Sequence, residues 1–310
     1  MTETARNVQP VTASLGNQGS GELVPSRYAV RVGDVDVVLI SDGILPLPTS
    51  TMSTNVSEAD RNEWFDGRFL QRDMFDWALN IALVRSGDRL ILIDSGVGDG
   101  FEYFTRAGQS VMRLESAGID LAAITDIVIT HMHMDHVGGL NIDGVKARLR
   151  PDVRIHVSAA EVAFWKSPDF SKTVMPETVP PALRKAAARF VELYSENIVQ
   201  FDQTVAVAAG VSARVTGGHT PGHCVVDVAS NGEKLTFVGD AIFEVGFENP
   251  GWQNGFEHDP EAAVDVRIAL LNEAAETGAL LAAAHVAFPS IGHIAKNGAG
   301  FRFVPVLWDY

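Results

Sequence analysis

The sequence predicts an α/β protein in which two mixed β-sheets pack together and helices cover their outer faces. The main observation is the order of patterns, in which strand-rich segments are separated by helical stretches and followed by a last strand. A second observation is that several apolar strands end directly on Gly, Asp or His. The chain has 310 residues, of which 46% are hydrophobic, so it can bury a large core.

In the first half, alternating polarity over residues 28–40 around a Gly33-Asp34 turn predicts a β-hairpin that ends at residues 41–43. Ser57, with Asp60 three positions later, predicts a capped helix start. Further strands are predicted over residues 80–84, 89–93, 124–130 and 153–157, and helices over residues 105–117 and 182–194.

In the second half, a helix is predicted to begin at Asp259-Pro260 and to run to about Thr277, before Gly278. We find no internal repeat or linker after Gly21, so residues 22–310 are expected to form one domain behind a flexible arm of residues 1–21. Strands are predicted over residues 205–207, 211–215, 225–228, 235–238 and 280–284.

Charge and composition narrow the classes of partner. The chain has 24 basic and 39 acidic residues, and its net charge of −15 disfavours nucleic acid and anionic membranes as partners. The single cysteine, Cys224, allows no internal disulfide and is compatible with a reducing compartment. The chain shows neither an apolar run near the roughly 18 residues of a membrane span nor the pattern of a signal peptide. A cytoplasmic location is therefore expected.

One short stretch, His-Met-His-Met-Asp-His-Val-Gly-Gly, concentrates potential metal ligands directly after the predicted strand at 124–130. It places His131, His133, Asp135 and His136 within six residues, and its glycine pair lets the backbone fold tightly. Three imidazoles and a carboxylate at this spacing suit borderline divalent metals, zinc first. The alternative interpretation is a polar loop with no ligand role.

This stretch resembles the HxHxDH signature of the metallo-β-lactamase superfamily, with every position of the motif present. The resemblance implies an αββα sandwich built from two similar halves, with two divalent metal ions, most often zinc, at one edge. It also implies three further ligands, and in this chain each follows an apolar strand. They are His219, Asp240 and His285.

The family pattern divides these ligands between two ions, with Asp240 bridging them. It assigns His131, His133 and His219 to the first ion and Asp135, His136 and His285 to the second. Asp135 and Asp240 are also the carboxylates expected at the catalytic centre. Taken singly, His219 fits a turn residue, Asp240 a turn or cap, and His285 a buried core histidine.

Two neighbouring residues are expected to support the ligands. His223 is expected to be structural, because the family pattern gives the metal to the first histidine of the Gly-Gly-His-Thr-Pro-Gly-His segment. Asp94 is expected to accept a ring N–H from a ligand histidine and fix its tautomer. The alternative for Asp94 is a turn-forming role before Ser95-Gly96.

Such a centre predicts hydrolysis. Two metals about 3.5–4 Å apart share a hydroxide whose pKa falls towards neutrality. That hydroxide attacks an electrophilic carbon or phosphorus, while the metals polarise the oxygen bonded to it. The expected substrate is a small ester, lactone or phosphotriester.

Segments 256–263, 283–294 and 300–305 resemble methyl parathion hydrolase and its relatives. That group contains dizinc hydrolases of organophosphate triesters, aryl esters and lactones, often homodimers, so a homodimer is expected here. One position departs from a related group: acyl-homoserine lactonases carry a tyrosine three residues after the bridging aspartate, where this chain has Phe243. Phe243 cannot donate a hydrogen bond to a lactone oxygen.

The substrate pocket is less well defined by the sequence. Phe101, Phe104 and Trp165 are candidates for an apolar wall that suits an aromatic or apolar leaving group, and core packing is the alternative for each. Phe243 is included with them, and His293 either lines the rim or caps a turn.

Rival functions remain at this stage. They are a quorum-quenching lactonase, a hydrolytic dehalogenase, a mono-iron oxygenase, a nucleic-acid hydrolase and a non-enzymatic binding module. The complete second ligand set disfavours the oxygenase, which needs only two histidines and one aspartate. The negative charge disfavours the nucleic-acid hydrolase.

Overall fold

The structure of the protein is a computed structural model that describes residues 25–99 and 106–307. In these residues, fourteen strands form two sheets of seven strands each. The strands of the first sheet are β1 Arg27–Val32, β2 Val35–Pro48, β3 Met74–Ser86, β4 Arg89–Ile93, β5 Asp126–Val128, β6 Arg154–Ser158 and β7 Ile198–Phe201. Those of the second are β8 Thr204–Ala208, β9 Val211–Val215, β10 Cys224–Ser230, β11 Glu233–Phe237, β12 Leu280–Ala282, β13 Ile291–Asn297 and β14 Gly300–Pro305.

Seven α-helices occur within the described ranges. They are α1 Glu58–Asp66, α2 Ser110–Ser116, α3 Met134–Val137, α4 Val145–Arg148, α5 Ala159–Phe164, α6 Val179–Tyr194 and α7 Pro260–Thr277. The boundaries of α7 follow from its sequence, since proline fits the first helical position and Gly278 adopts φ +70° at the end. None of the helices in the described residues combines the length and the hydropathy that a bilayer crossing requires.

Both sheets are mixed. The first contains β1 to β7 in sequential order, with antiparallel pairing up to β4 and parallel pairing from β4 to β7. The second contains β8 to β14, and its pairings are antiparallel except for the parallel pair β11 and β12. This arrangement confirms the predicted fold class.

The core lies between the two sheets. Val37 of the first sheet and Val226 and Phe237 of the second belong to one buried apolar cluster. On the outer faces, Phe190 of α6 packs in a cluster with the first sheet and Leu271 of α7 in a cluster with the second. The layers therefore follow the order helix, sheet, sheet, helix, and burial of these apolar faces is the main stabilising force.

Most predicted strands and helices are present, but the structure adds several. The predicted end of the first hairpin at residues 41–43 is wrong, because β2 continues to Pro48 through a β-bulge between Ser41 and Gly43. Gly43 adopts φ +108°, and a Cβ there would lie 1.9 Å from the carbonyl oxygen of Arg106. Glycine thus lets the bulged strand continue. The sequence patterns also did not predict the short helices α3, α4 and α5 or the strands β7, β13 and β14.

The sheet topology brings distant strand ends together. In the second sheet, β9, β11 and β12 run in the same direction, so their carboxyl ends lie at one edge. In the first sheet, β4 and β5 are parallel, and their carboxyl ends lead to Asp94 and to the segment that begins at His131. The backbone N–H of Asn80 donates to the carbonyl of Ala284, which links the two sheets beside this edge.

A buried carboxylate stabilises the first sheet. Asp126 of β5 is inaccessible to solvent and accepts hydrogen bonds from Arg89, Arg154 and Thr125, with His156 Nε2 3.0 Å away. Burial raises the pKa of Asp126, but these partners, His156 first, outweigh burial and hold the pKa well below its usual value. The ionised Asp126 carboxylate therefore stabilises the folded protein above a pH of about 4. This stabilisation is lost as the pH falls further, because the carboxylate binds a proton at a higher pH in the unfolded chain than in the folded one.

We expect Asp126→Asn to lower the free energy of unfolding at pH 7 by about 2–3 kcal/mol, since it leaves buried donors poorly paired. Urea unfolding of both proteins between pH 7 and pH 3 measures this, and the gap between them should shrink below a pH of about 4. Asp36→Asn is the control, because its ion pair with Arg31 is exposed. A gap that stays constant with pH would contradict the assignment.

Candidate metal centre

The segment after β5 holds four potential ligands in a short turn. His133 is extended, with φ −64° and ψ 156°, and it begins α3, which carries Asp135 and His136. The glycine pair that follows is needed for close approach: a Cβ on Gly138 would lie 2.0 Å from the carbonyl oxygen of Val97, and one on Gly139 would meet that of Ser95. The loop that follows β4 therefore packs directly on the ligand segment.

The structure brings all seven predicted ligands together in two groups. Within each group, one nitrogen or oxygen atom of every residue lies within 4.8 Å of those of the others. The first group contains His131, His133, His219 and Asp240, and the second contains Asp135, His136 and His285. All are buried except Asp135, which is partly exposed.

Asp240 lies between the two groups. Its Oδ2 is 3.3 Å from His219 Nε2 and 3.8 Å from His131 Nε2, both of the first group. The same oxygen is 3.0 Å from His285 Nε2, and Oδ1 is 3.0 Å from His136 Nε2, both of the second group. This carboxylate therefore occupies the position expected of a ligand that two cations share.

The donor atoms fit divalent cations. Among the described residues, four buried atoms of the two groups lack a hydrogen-bond partner: His131 Nε2, His136 Nε2, His219 Nδ1 and Asp240 Oδ1. An unpaired buried polar atom costs about 1–3 kcal/mol, so four of them in one place call for another partner. Imidazole nitrogen and carboxylate oxygen are the donors that zinc and similar ions take. The residues present thus fit two divalent metal ions.

Protonation differs between the groups. Burial lowers the pKa of His131 and His219 well below the usual value and that of His133 to about 3, so these imidazoles are neutral, as ligands must be. Burial also acts to lower the pKa of His285, but the carboxylates of Asp240 and Asp135 outweigh it and raise the pKa to about 9. Metal binding to the second group therefore has to displace a proton.

Hydrogen bonds orient the ligand rings. Asp94 Oδ2 lies 2.8 Å from His136 Nδ1, which turns Nε2 of that ring towards Asp240. Asp94 also has φ +59°, so it forms the turn after β4 as well, and both interpretations from the sequence apply. On the other side, His285 Nδ1 lies 2.8 Å from the carbonyl of Ala78, which again leaves Nε2 facing Asp240.

His223 lies outside the two ligand groups. Its Nε2 accepts a hydrogen bond from the backbone N–H of Asp240, and its Nδ1 lies 2.9 Å from the Thr216 hydroxyl. The structure thus places His223 as a support for the Asp240 loop.

Glu161 is a supporting residue that the sequence analysis missed. It is fully buried, and its carboxylate accepts from the backbone N–H of Met132 and the indole N–H of Trp165. It also accepts from Thr220 and from the backbone N–H of Gly222. Glu161 therefore joins the loop of His131 and His133 to the loop of His219. Its only local signal was Ser158 three residues earlier, which caps α5.

The predicted pocket residues that the structure describes do not line the cavity beside the two ligand groups. Phe101 and Phe104 lie outside the described residues. Trp165 packs edge-on against the His133 ring at 5.8 Å between centroids, with its N–H on Glu161, so it supports a ligand and does not line the cavity at the centre. Phe243 is 1% exposed and stacks behind Trp77, because the strand-like bridge to His285 turns it inward. Of the two roles predicted for His293, the structure shows the cap: the side chain is exposed and its Nδ1 lies 2.9 Å from the carbonyl of Gly278 at the end of α7.

A cavity of about 60 Å³ lies against both ligand groups. His133, Asp135, Asp240 and His285 form its polar side. Its other walls are mostly apolar, and they consist of Leu45, Leu47, Trp77, Met134, Val179, Leu183, Asn254 and Phe256. An apolar enclosure beside a cluster of polar atoms is typical of small-molecule sites.

Known proteins share this fold and sequence pattern. The structure of AidC, a dizinc quorum-quenching lactonase in complex with a product, has a TM-score of 0.82 and 25% identity, over 92% of this chain and 99% of that one. The hydrolase AbOPH of the β-lactamase superfamily has a TM-score of 0.81 and 25% identity, over 93% of this chain and 99% of that one.

A third similarity is partial. The β-lactamase-like protein 2 homolog of Drosophila melanogaster is 29% identical over 174 residues, which are 54% of this chain. The match spans about half the length of that relative, 51%.

The sequence model of the metallo-β-lactamase superfamily matches residues 75–285, a range that includes all seven ligands. The chain therefore belongs to the metallo-β-lactamase superfamily.

Proposed function

We propose that the chain is a dinuclear metal-dependent hydrolase for an ester, lactone or phosphotriester with an apolar or aromatic leaving group. The observation that carries this proposal is Asp240, whose carboxylate contacts histidines of both ligand groups beside an apolar cavity. Two divalent ions, when bound, supply a water-derived nucleophile near neutral pH and Lewis acidity towards a carbonyl or phosphoryl oxygen.

The residues of the chain have distinct parts in this scheme. His131, His133 and His219 hold the first ion, and Asp135, His136 and His285 hold the second, with Asp240 shared. Asp94 and the carbonyl of Ala78 keep Nε2 of His136 and His285 directed inward. Asp135 is the one partly exposed ligand, so the second group is the more accessible side for an entering substrate.

The cavity walls favour an apolar leaving group. Leu45, Leu183 and Phe256 present hydrocarbon surface opposite the ligand groups, and the Trp77 ring lies 5.0 Å from that of His285 between centroids. Exclusion of water by such walls strengthens the electrostatic interactions of the centre with a bound ester.

Asn254 provides a hydrogen-bond donor in this apolar wall. It lines the cavity and is 4% exposed, and its Oδ1 accepts from the backbone N–H of Phe256. This bond fixes the amide orientation, so the Nδ2 group is the free end, and within the described residues it has no hydrogen-bond partner. We propose that Nδ2 donates a hydrogen bond to a substrate oxygen. Phe243 cannot provide this bond, because its side chain has no hydroxyl.

Sequence and fold similarities support two substrate classes. The similarity to AidC, a quorum-quenching lactonase, favours lactones. The segments at 256–263, 283–294 and 300–305 that resemble methyl parathion hydrolase favour phosphotriesters and aryl esters. The complete second ligand group supports a dinuclear hydrolase over a mono-iron oxygenase.

We expect about two divalent ions per chain after reconstitution, and we expect Asp240→Ala to lose both ions and all activity on lactones, aryl esters and phosphotriesters. The physical reason is that the carboxylate contacts both groups, so its removal costs more than the loss of a ligand to one ion. Elemental analysis and a substrate panel measure these outcomes.

Asp227→Ala is the matched control, because Asp227 is a paired carboxylate on β10 outside both groups. Asp240→Ala protein that keeps two ions and full activity would refute the bridging assignment. One iron per chain in the wild-type protein would favour the oxygenase.

We expect Asn254→Asp to lower kcat/KM by about 100- to 1,000-fold, the usual effect of removing one hydrogen-bond donor that stabilises a transition state. The variant keeps the oxygen that accepts from Phe256 and replaces only the donor. Asn55→Asp adds the same charge to an exposed neighbouring segment and serves as the control. Unchanged kinetics in Asn254→Asp protein with both ions bound would show that the amide has no contact with substrate.

We expect Phe256→Ala to reduce kcat/KM for aryl esters more than for small alkyl esters, by about 1–3 kcal/mol in transition-state binding. The ring lines the cavity and lies 6.4 Å from that of Trp77. Phe75→Ala is the control, since Phe75 packs on Phe65 and does not line the cavity. Equal losses on both ester types would assign Phe256 to core packing.

A further inference from the structure

A further histidine, His258, lies directly behind the metal centre. It is 8% exposed, and its Nε2 is 3.3 Å from His133 Nε2. It belongs to neither ligand group, and the sequence analysis included it only as part of the segment at 256–263. The nitrogen of His133 that it faces is the one on the far side of the ring from His219, whose Nε2 lies 3.1 Å from His133 Nδ1.

The backbone around His258 is held firmly. Its own N–H donates to the carbonyl of His219 at 2.8 Å, and the N–H of Asp259 donates to that of Gly218 at 3.0 Å. The preceding residue, Glu257, forms a fully buried ion pair with Arg267 of α7. The segment is therefore tied both to the His219 loop and to a helix.

The ring is held as well. His258 Nδ1 lies 2.8 Å from the backbone carbonyl of Asp169. The rings of Phe164 and Phe170 pack against it, with centroids at 4.9 and 5.1 Å. These contacts leave one orientation for the imidazole, with Nε2 directed at His133.

The hydrogen-bond partners of His258 and His133 decide which ring nitrogen of each histidine carries the hydrogen. A carbonyl only accepts, so Nδ1 of His258 carries the N–H, and in the neutral ring Nε2 is the acceptor. His133 Nε2 must then be the donor across the 3.3 Å contact, which leaves Nδ1 of His133 with its lone pair directed at the first ligand group. A doubly protonated His258 would instead place a cation against a ligand of a divalent ion, which Coulomb repulsion disfavours.

We propose that His258 is a positioning residue that holds His133 in the Nε2–H tautomer, so that Nδ1 is presented to a metal ion. This inference rests on the proposed metal centre. Partners that orient metal-binding histidines in this way typically contribute 10- to 100-fold to metal affinity, and most of them are carboxylates or carbonyls. Here the partner is a neutral imidazole, itself oriented by a carbonyl.

The test compares three substitutions that separate hydrogen bonding from packing. His258→Gln keeps an acceptor oxygen near the position of Nε2, His258→Asn keeps only a donor for the Asp169 carbonyl, and His258→Phe keeps only the ring. His293→Asn is the control, because His293 is exposed at the far end of α7. The metal-free forms are titrated with Co²⁺ against a competing chelator, and their visible spectra and thermal unfolding are recorded.

We expect His258→Asn and His258→Phe to bind one of the two Co²⁺ ions about 10- to 100-fold more weakly, with an altered visible spectrum, while the second ion binds as in wild type. His258→Gln should remain within about threefold of wild type, since the acceptor is retained. The melting temperature of the metal-free variants should stay close to that of the wild type.

Wild-type affinity and spectrum in all three variants would overturn the proposal. Loss in His258→Gln equal to that in His258→Phe would also overturn it, because packing and not the acceptor would then matter. If wild-type protein binds no Co²⁺, the proposed function fails. Tight binding of two ions by wild type and by every variant refutes only the part given to His258.

Discussion

The buried carboxylate of Asp240 is the group on which the rest of the centre depends. It is 7% exposed and lies within 3.8 Å of four histidine nitrogens from both ligand groups. A charge removed from water costs several kcal/mol unless opposite charge or hydrogen-bond donors surround it. The fold meets this requirement by ending β9, β11 and β12 at one edge, where the backbone N–H of Asp240 is also bound by His223. One divalent ion in each ligand group would complete the compensation.

Three of the five ligand imidazoles are oriented by a contact outside the ligand groups. Asp94 faces His136, the Ala78 carbonyl faces His285, and His258 faces His133. The loops themselves are joined by Glu161, whose two oxygens accept four hydrogen bonds from the loops of His131 and His219 and from Trp165. Because these partners come from the first sheet, from α5 and from the segment before α7, the geometry of the centre depends on several layers of the sandwich. Such preorganisation is what a metal site needs in order to bind tightly and react without rearrangement.

The acidic character of the chain and the apolar character of the cavity act on different scales. A net charge of −15 sets a repulsive field for polyanions at long range. Close to the centre, the walls are formed by side chains such as Leu45, Leu183 and Phe256, interrupted by the amide of Asn254. A small neutral ester matches both properties, since it is not repelled at a distance and its apolar part can be desolvated near the ligands.

The sequence by itself determined the seven ligands and most strands and helices, because both depend on local chemistry: the spacing of His131 to His136, and apolar runs that end on Gly, Asp or His. Only the tertiary structure decided which residues orient the ligands and which line the cavity. Glu161 and His258 have partners far away in the chain, and Asn254 meets equally distant residues only around the cavity. Trp165 and Phe243 pack behind the cavity walls. The strands β13 and β14, of which β14 forms the edge of the second sheet, and the extension of β2 likewise depend on pairing with neighbours. Burial and hydrogen bonding between residues as distant as Asn80 and Ala284, 204 positions apart, leave no periodic trace in either segment.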